Sequence, residues 1–197
     1  MKIVKLIWED NSASDYPNLQ NDLEIATETA LGLVRGTIQA MFEKGDNTDK
    51  VKALHERFFG TWEQNRWSTV YEAFKDIRSE LSTGQMSYNV SKAKLSDTGS
   101  YGATWEDSAD RNIDIFGAFL TAPLLGKDAK FGVIIHETSH NVVDHISDQN
   151  KTYYLEQVLA LAKNDPEKAT HCAQNYEYFV EYGQSEGIIH SLDKDVG

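Results

Sequence analysis

Residues 133–140 read Val-Ile-Ile-His-Glu-Thr-Ser-His, so a His-Glu-x-x-His motif of His136, Glu137 and His140 follows directly on an apolar run. Side chains four residues apart lie on the same face of an α-helix. On a helix, both imidazoles can therefore reach one zinc ion, and Glu137 can reach a water molecule beside that ion. The spacing is the one that a zinc-dependent peptidase needs.

A His-Glu-x-x-His pattern also occurs by chance on ordinary solvent-exposed helix faces. The residues around this motif favour a metal site instead. The residues in front of the motif are apolar and would bury the start of the helix: Phe131, Val133, Ile134 and Ile135. An ionised glutamate at the edge of a core costs several kcal/mol unless a charge or a hydrogen bond compensates it. A divalent cation is one such compensation.

A third protein ligand must come from beyond the two histidines, because catalytic zinc usually takes three. Asp144 continues the four-residue series, but it lies about 12 Å from His136 along a straight helix, too far to share one ion. His145 lies off the face if the helix persists. Asp148 fits if the helix ends after about Val143 and the chain folds back. We favour Asp148, with Asp144 and His145 as alternatives.

Composition limits the function classes. The 197 residues carry a net charge of −12, which argues against a nucleic-acid partner, since phosphate binding requires an excess of Lys and Arg. No apolar stretch is long enough to insert into a bilayer or to resemble a signal peptide. Cys172 is the only cysteine, so no intramolecular disulfide forms. We therefore expect either delivery outside the producing cell by a non-classical route or a cytoplasmic location.

Hydrophobic periodicity predicts an α+β fold that is predominantly helical, with a small β-sheet or hairpin before the motif helix. Apolar residues at helical spacing predict helices, besides the motif helix, over about 22–45, 47–60, 61–81, 153–163 and 169–182. Short apolar runs between turn residues predict strands over about 1–8, 86–90, 99–105 and 112–120. Asp128 is the expected cap of the motif helix, and Gly183 the expected end of the last helix.

Beyond the motif, several stretches resemble the aspzincin peptidases, the deuterolysin and peptidyl-Lys metalloendopeptidase group. The similarity covers about residues 50–182 in collinear order, and its main segments are 57–60, 116–123, 160–169 and 175–179. The resemblance implies a zincin-like metalloprotease domain, with residues 116–123 as a strand entering the motif helix. It further implies an N-terminal segment and helix, residues 1–49, packed on a catalytic domain of residues 50–197.

The resemblance also implies roles for individual residues. One zinc(II) per chain would be bound by His136, His140 and Asp148, while Glu137 acts as the general base. Either Tyr153 or Tyr154 would be the family's catalytic tyrosine and donate a hydrogen bond to the oxyanion.

In Lys-specific members, an Asp and a Glu three residues apart in the last helix bind the lysine of the substrate. Gln174 and Glu177 occupy those positions here, so one of the two carboxylates is an amide. The resemblance thus implies protein or peptide substrates, with a preference for basic residues that is not strictly for lysine.

The family's Gly-Thr segment after the motif is absent, as are its disulfides. The motif and the resemblance together predict a zinc-dependent metalloendopeptidase. A secreted effector or toxin is one role in which such an enzyme would act. The alternative is a catalytically impaired metal-binding interaction module of the same fold. The oligomeric state is not indicated.

Overall fold

The computed structural model describes residues 4–43, 45, 47–83, 86–104, 111–143, 146–149 and 151–193. Most of them are helical, which confirms the predicted α+β class. The helices are α1 (Leu19–Phe42), α2 (Thr48–Phe59), α3 (Gln64–Ser82), α4 (Lys92–Ser96), α5 (Gly117–Thr121), α6 (Lys130–Val142), α7 (Leu155–Asn164), α8 (Pro166–Ala169) and α9 (Ala173–Ser185). The strands are β1 (Lys5–Trp8), β2 (Ser87–Val90), β3 (Gly102–Thr104) and β4 (Ile113–Ile115), and a 3-10 turn spans Ser12–Asp15.

The strands form one small mixed sheet in the order β1-β2-β4-β3. Strand β2 pairs in parallel with both β1 and β4, whereas β3 runs antiparallel to β4. Strand β3 also lies against the motif helix α6. The sheet therefore supplies one wall of the region in which the motif side chains lie.

Helix α6 is the centre of the molecule, because α1, α3 and α9 all pack against it. Its apolar face is fully buried, with Phe131, Ile134 and Ile135 at 0% exposure. Each such side chain contributes about 1.5–3 kcal/mol relative to exposure in water. This packing fixes where the polar face of α6 points, which decides the geometry of the site.

Two predicted elements differ in the structure. The run 112–120 is a strand only at Ile113–Ile115, and α5 follows from Gly117, so the expected strand over 116–123 is wrong. The last helix does not end at Gly183 but continues to Ser185. A glycine is required at position 183 because a Cβ there would lie 2.3 Å from Cδ1 of Ile189.

The predicted division at residue 49 stays a prediction. Helix α1 packs on α3 and α6, so the N-terminal part of the chain contributes directly to the core. None of the helices in the described ranges is both long and apolar enough to cross a membrane.

His55 provides a test of the core through its pH dependence. Its ring is fully buried between Phe59 and Trp67, and neither ring nitrogen has a partner among the described residues. Burial, with the nearby Arg66 charge, lowers the pKa of His55 from 6.5 to about 4. Between pH 6.5 and about pH 4, the unfolded chain therefore binds a proton that the folded protein does not. The free energy of unfolding consequently decreases as the pH is lowered through this range.

We expect this single group to reduce the free energy of unfolding by about 3 kcal/mol between pH 7 and pH 4. Urea unfolding of the metal-free wild type and of His55→Phe at pH 7 and pH 4 measures this loss. The wild type should lose about 3 kcal/mol more than the variant, and parallel pH profiles would contradict the assignment.

Candidate metal centre

The two motif histidines point to the same place from consecutive turns of α6. Their Nε2 atoms are 3.3 Å apart, and both rings are nearly buried. The two ring centroids are separated by 5.1 Å. The hydroxyl of Ser139 donates to the carbonyl of His136, within the helix itself. The predicted convergence of His136 and His140 is therefore present in the structure.

Asp148 reaches the histidines because α6 ends at Val142 and the chain turns back. The backbone N–H of Ser147 donates to the carbonyl of His171, and that of Ala173 donates to the carbonyl of Ser147. This short bridge attaches the segment around Asp148 to the start of α9. Helix α6 thus ends near Val143, which is the condition under which Asp148 can approach the histidines.

Asp148 contacts both histidines through one oxygen. Its Oδ1 lies 3.1 Å from Nε2 of His136 and 3.1 Å from Nε2 of His140. The alternative ligands Asp144 and His145 lie outside the described residues. Within the described part of the chain, His136, His140 and Asp148 form the group able to bind a metal ion.

The dimensions of this triangle suit zinc. Zinc binds imidazole nitrogen and carboxylate oxygen at about 2.0–2.2 Å in a tetrahedron, whose ligand atoms are then about 3.3 Å apart. The three contacts here are 3.1, 3.1 and 3.3 Å. Two imidazoles and one carboxylate also match the three protein ligands of a catalytic zinc site. The residues present therefore fit the ion.

The electrostatic environment of the triangle favours positive charge. Burial lowers the pKa of His136, but its contacts with Asp148 and Glu177 outweigh burial and raise the pKa well above its usual value. Burial raises the pKa of Asp148, but its contacts with the two histidines hold that pKa far below the ordinary range. Glu137, Asp148 and Glu177 place three carboxyl groups around two imidazoles, which is an environment that stabilises a bound dication.

Glu177 contacts the far side of the first histidine. Its Oε2 lies 3.0 Å from Nδ1 of His136 and accepts a hydrogen bond of 2.7 Å from Nε2 of Gln174. A carboxylate that accepts from the second nitrogen of a ligating histidine fixes its tautomer and orientation. Glu177 and Gln174 also line the cleft in front of the triangle. Their predicted role in binding substrate stays a prediction, and Glu177 has this additional contact.

Glu137 lies at the wall of the same cleft, which has a volume of about 960 Å³, enough for an extended peptide side chain. Burial raises the pKa of its carboxyl, although His136 and His140 lower it. Thr104 of β3 donates to the backbone carbonyl of Glu137. A Cβ on Gly102 would lie 3.0 Å from Cγ of Glu137, so a glycine there leaves room for the Glu137 side chain.

The two candidate tyrosines differ in what they contact. The hydroxyl of Tyr153 donates to Oδ2 of Asp148 over 2.9 Å, and its backbone carbonyl accepts from the hydroxyl of Tyr178. Tyr154 is 67% exposed, and it lines the cleft. Tyr153 thus orients the carboxylate whose other oxygen faces the histidines.

Tyr153→Phe should weaken zinc binding by about 10-fold, because the Asp148 carboxylate loses the donor that orients it. Competition with a chromophoric chelator measures the affinity. Tyr154→Phe removes a hydroxyl from the adjacent, exposed side chain and should change the affinity less than about 2-fold. Equal effects of the two substitutions would contradict the role of Tyr153.

A helix with two histidines, a carboxylate returning from beyond it and a cleft alongside defines the class of the zinc peptidases. Residues 44–181 match the family model described as lysine-specific metallo-endopeptidase, the aspzincin family. The chain belongs to this family, which is zinc-dependent, and the predicted resemblance and cofactor are confirmed.

Individual relatives agree with the family match. An extracellular protease of Aeromonas hydrophila is 27% identical over 168 residues, which cover 85% of this chain and 45% of that protein. A peptidyl-Lys metalloendopeptidase of Pleurotus ostreatus is 32% identical over 124 residues, covering 63% of this chain and 70% of that protein. The matched part of this chain therefore covers less than half the length of the Aeromonas protein.

The fold also matches a solved structure. The zinc peptidase from Grifola frondosa superimposes with a TM-score of 0.71 at 25% identity, covering 89% of this chain and 99% of that one. The similarity thus extends well beyond the motif.

Sequence reasoning was wrong about how α6 begins. Asp128 does not cap the helix: it has φ of 50°, and Ala129 at the cap position has no side chain able to do so. The N–H of Ala129 instead donates to Oε1 of Glu181, from α9. Glu181 was missed, and the available signal was its spacing of four residues from Glu177 on one helix.

Proposed function

We propose that this chain is a zinc-dependent metalloendopeptidase that binds one zinc ion through His136, His140 and Asp148. The observation that carries the proposal is the triangle of two Nε2 atoms and one Oδ1 atom with edges of 3.1–3.3 Å. It lies at the wall of an open cleft, where a peptide has access. Membership of a family of metallo-endopeptidases supports the same reaction.

A zinc ion bound there supplies a Lewis acid that lowers the pKa of water toward neutrality and polarises a peptide carbonyl. Glu137 is the proposed general base: a carboxylate oxygen takes the proton of the attacking water and then delivers it to the leaving amine. Its position supports this role, since it follows His136 in the chain and lines the cleft. Gly102 leaves room for the Glu137 carboxylate at this wall of the cleft, since a Cβ there would lie 3.1 Å from Oε1 of Glu137.

For the oxyanion we retain the two tyrosines as proposed donors. Tyr153 and Tyr154 both line the cleft beside the triangle. In the structure the Tyr153 hydroxyl donates to Asp148, which supports a role in orienting that carboxylate. A phenol has one O–H donor, so a tyrosine whose hydroxyl turns to donate to a developing oxyanion would stabilise the transition state more than the substrate.

We propose basic side chains as the preferred residues at the cleaved bond. Glu177 and Asp128 both line the cleft, and the net charge of the chain is −12. The relatives from Pleurotus ostreatus, Grifola frondosa and Armillaria mellea are named peptidyl-Lys metalloendopeptidases. Gln174 contributes an amide where the family has a carboxylate, so we expect arginine to be accepted beside lysine.

We further propose that the protein acts outside the producing cell, as the name of the extracellular protease of Aeromonas hydrophila supports. An effector or toxin role stays a prediction. The enzymatic proposal does not depend on it.

Digestion of a denatured protein, followed by mass spectrometry of the peptides, tests the function. We expect cleavage next to Lys and Arg, complete loss of activity with a chelator such as 1,10-phenanthroline, and recovery on adding zinc. Gln174→Asp should raise the ratio of Lys to Arg cleavage. A protein that binds zinc but cleaves no denatured substrate would instead be the impaired metal-binding module.

A further inference from the structure

Glu181 is a fully buried acid that the proposed reaction does not use. It lies on α9 at 0% exposure, and its Oε1 accepts a 2.8 Å hydrogen bond from the N–H of Ala129. That N–H belongs to the residue directly before α6, at the end of the helix where backbone donors lack partners within the helix. A side chain from another helix thus replaces the missing local cap of α6.

Gly132 makes this contact possible. A Cβ on Gly132 would lie 2.3 Å from Oε1 and 3.0 Å from Cδ of Glu181. Because any larger residue would displace the carboxyl group, the close approach of α9 to the first turn of α6 depends on this glycine. The contact between α9 and α6 therefore requires both Glu181 on α9 and Gly132 on α6.

The same face of α9 contacts α6 at a second point. Glu177 precedes Glu181 by one helical turn, and its carboxylate lies 3.0 Å from Nδ1 of His136. Ala129 and His136 are seven residues apart, about 10 Å along the helix axis. Two contacts at that separation restrain the position of α6 along α9 and its rotation about its own axis, in addition to the packing of α6 on α1 and α3.

We propose that Glu181 is a positioning residue for the metal centre: by bonding the start of α6, it sets the helix so that His136 meets Asp148 and Glu177. This inference rests on the proposed function, because it assumes that zinc binds at the triangle. Without the contact, the first turn of α6 loses its hydrogen-bonded attachment to α9, and its position against that helix is less well fixed. The imidazole of His136 then no longer meets its partners in one geometry, and zinc binding weakens.

The protonation of Glu181 determines which variant is conservative. Burial, followed by the nearby charge of Glu177, raises the pKa of Glu181 and so favours its neutral form. Its Oε2 has no partner in the described part of the chain. Glutamine has the same shape and charge as this neutral acid and keeps the acceptor for Ala129.

The experiment measures zinc affinity by chelator competition and thermal unfolding of the metal-free protein, for the wild type and three variants. Glu181→Ala should weaken zinc binding by about 10-fold, as loss of an orienting partner does elsewhere. Glu181→Gln should restore the affinity to within about 3-fold of the wild type. Val158→Ala leaves a cavity beside α7, which packs mainly on α2 and α8, and should lower the unfolding temperature without changing the affinity.

Glu181→Asp gives a second measure that does not depend on the alanine variant folding. It keeps the acid but shortens the side chain by one methylene, and we expect an affinity between those of the alanine and glutamine variants. Wild-type affinity in Glu181→Ala or Glu181→Asp, or a loss in Glu181→Gln equal to that in Glu181→Ala, would overturn the inference. A wild-type protein that binds no zinc would overturn the proposed function instead.

Discussion

Glu137→Gln should reduce kcat by about 10³-fold while zinc stays bound. The amide keeps the size of the side chain but cannot take a proton from water, and general acid–base catalysis is worth about 10²- to 10⁴-fold. The three proposed ligands are unchanged in this variant, so the affinity for zinc should stay close to that of the wild type. Turnover of a fluorogenic peptide, with the zinc content of the same sample, measures both quantities.

Glu156→Gln is the matched control for this variant. It makes the same chemical change on an exposed residue of α7 and should keep full activity. Full activity in Glu137→Gln would remove Glu137 from the reaction. Loss of zinc together with activity would show that Glu137 instead stabilises the bound ion.

Asp148→Ala should weaken zinc binding by at least about 100-fold and abolish proteolysis. The substitution removes one of three ligands and the negative charge that faces both imidazoles, whereas loss of an orienting partner alone costs about 10- to 100-fold. The affinity is measured by chelator competition, and proteolysis on a denatured protein at saturating zinc.

Asp76→Ala, on the exposed face of α3, is the corresponding control and should bind zinc as the wild type does. Retention of zinc affinity in Asp148→Ala would transfer the role of third ligand to Asp144 or His145.

The parts of the site that lie close together in sequence could be predicted. The spacing of His136 and His140 follows from helical geometry, and the end of α6 near Val143 brings Asp148 back toward them. Both arguments use only the rise of a helix and the reach of a side chain. The convergence of these residues was therefore accessible before the structure.

Contacts between distant elements could not be predicted in the same way. The partners of Glu177 and Glu181 are separated from them by 41 and 52 positions, so neither the bond to His136 nor the cap of Ala129 leaves a local pattern. Asp128 has the residue type of a cap, but Ala129 occupies the cap position and Asp128 precedes it with a positive φ of 50°.

The segment 116–123 before the site contains a helix in the structure and not the expected strand. The resemblance implies a strand over 116–123, and the apolar run 112–120 has no periodicity that separates a strand from a buried helix. The structure forms α5 there, with Phe119 fully buried. Glycine is common at helix ends, but Gly183 lies within α9, where Ile189 occupies the space that a side chain at position 183 would need.

The most direct test of the metal centre is a crystal structure of the zinc-loaded protein with anomalous data collected at the zinc absorption edge. We expect one anomalous peak per chain, about 2.0–2.2 Å from Nε2 of His136, Nε2 of His140 and Oδ1 of Asp148. A peak bound by other side chains, or a zinc-loaded crystal without a peak between the two imidazoles, would contradict the account.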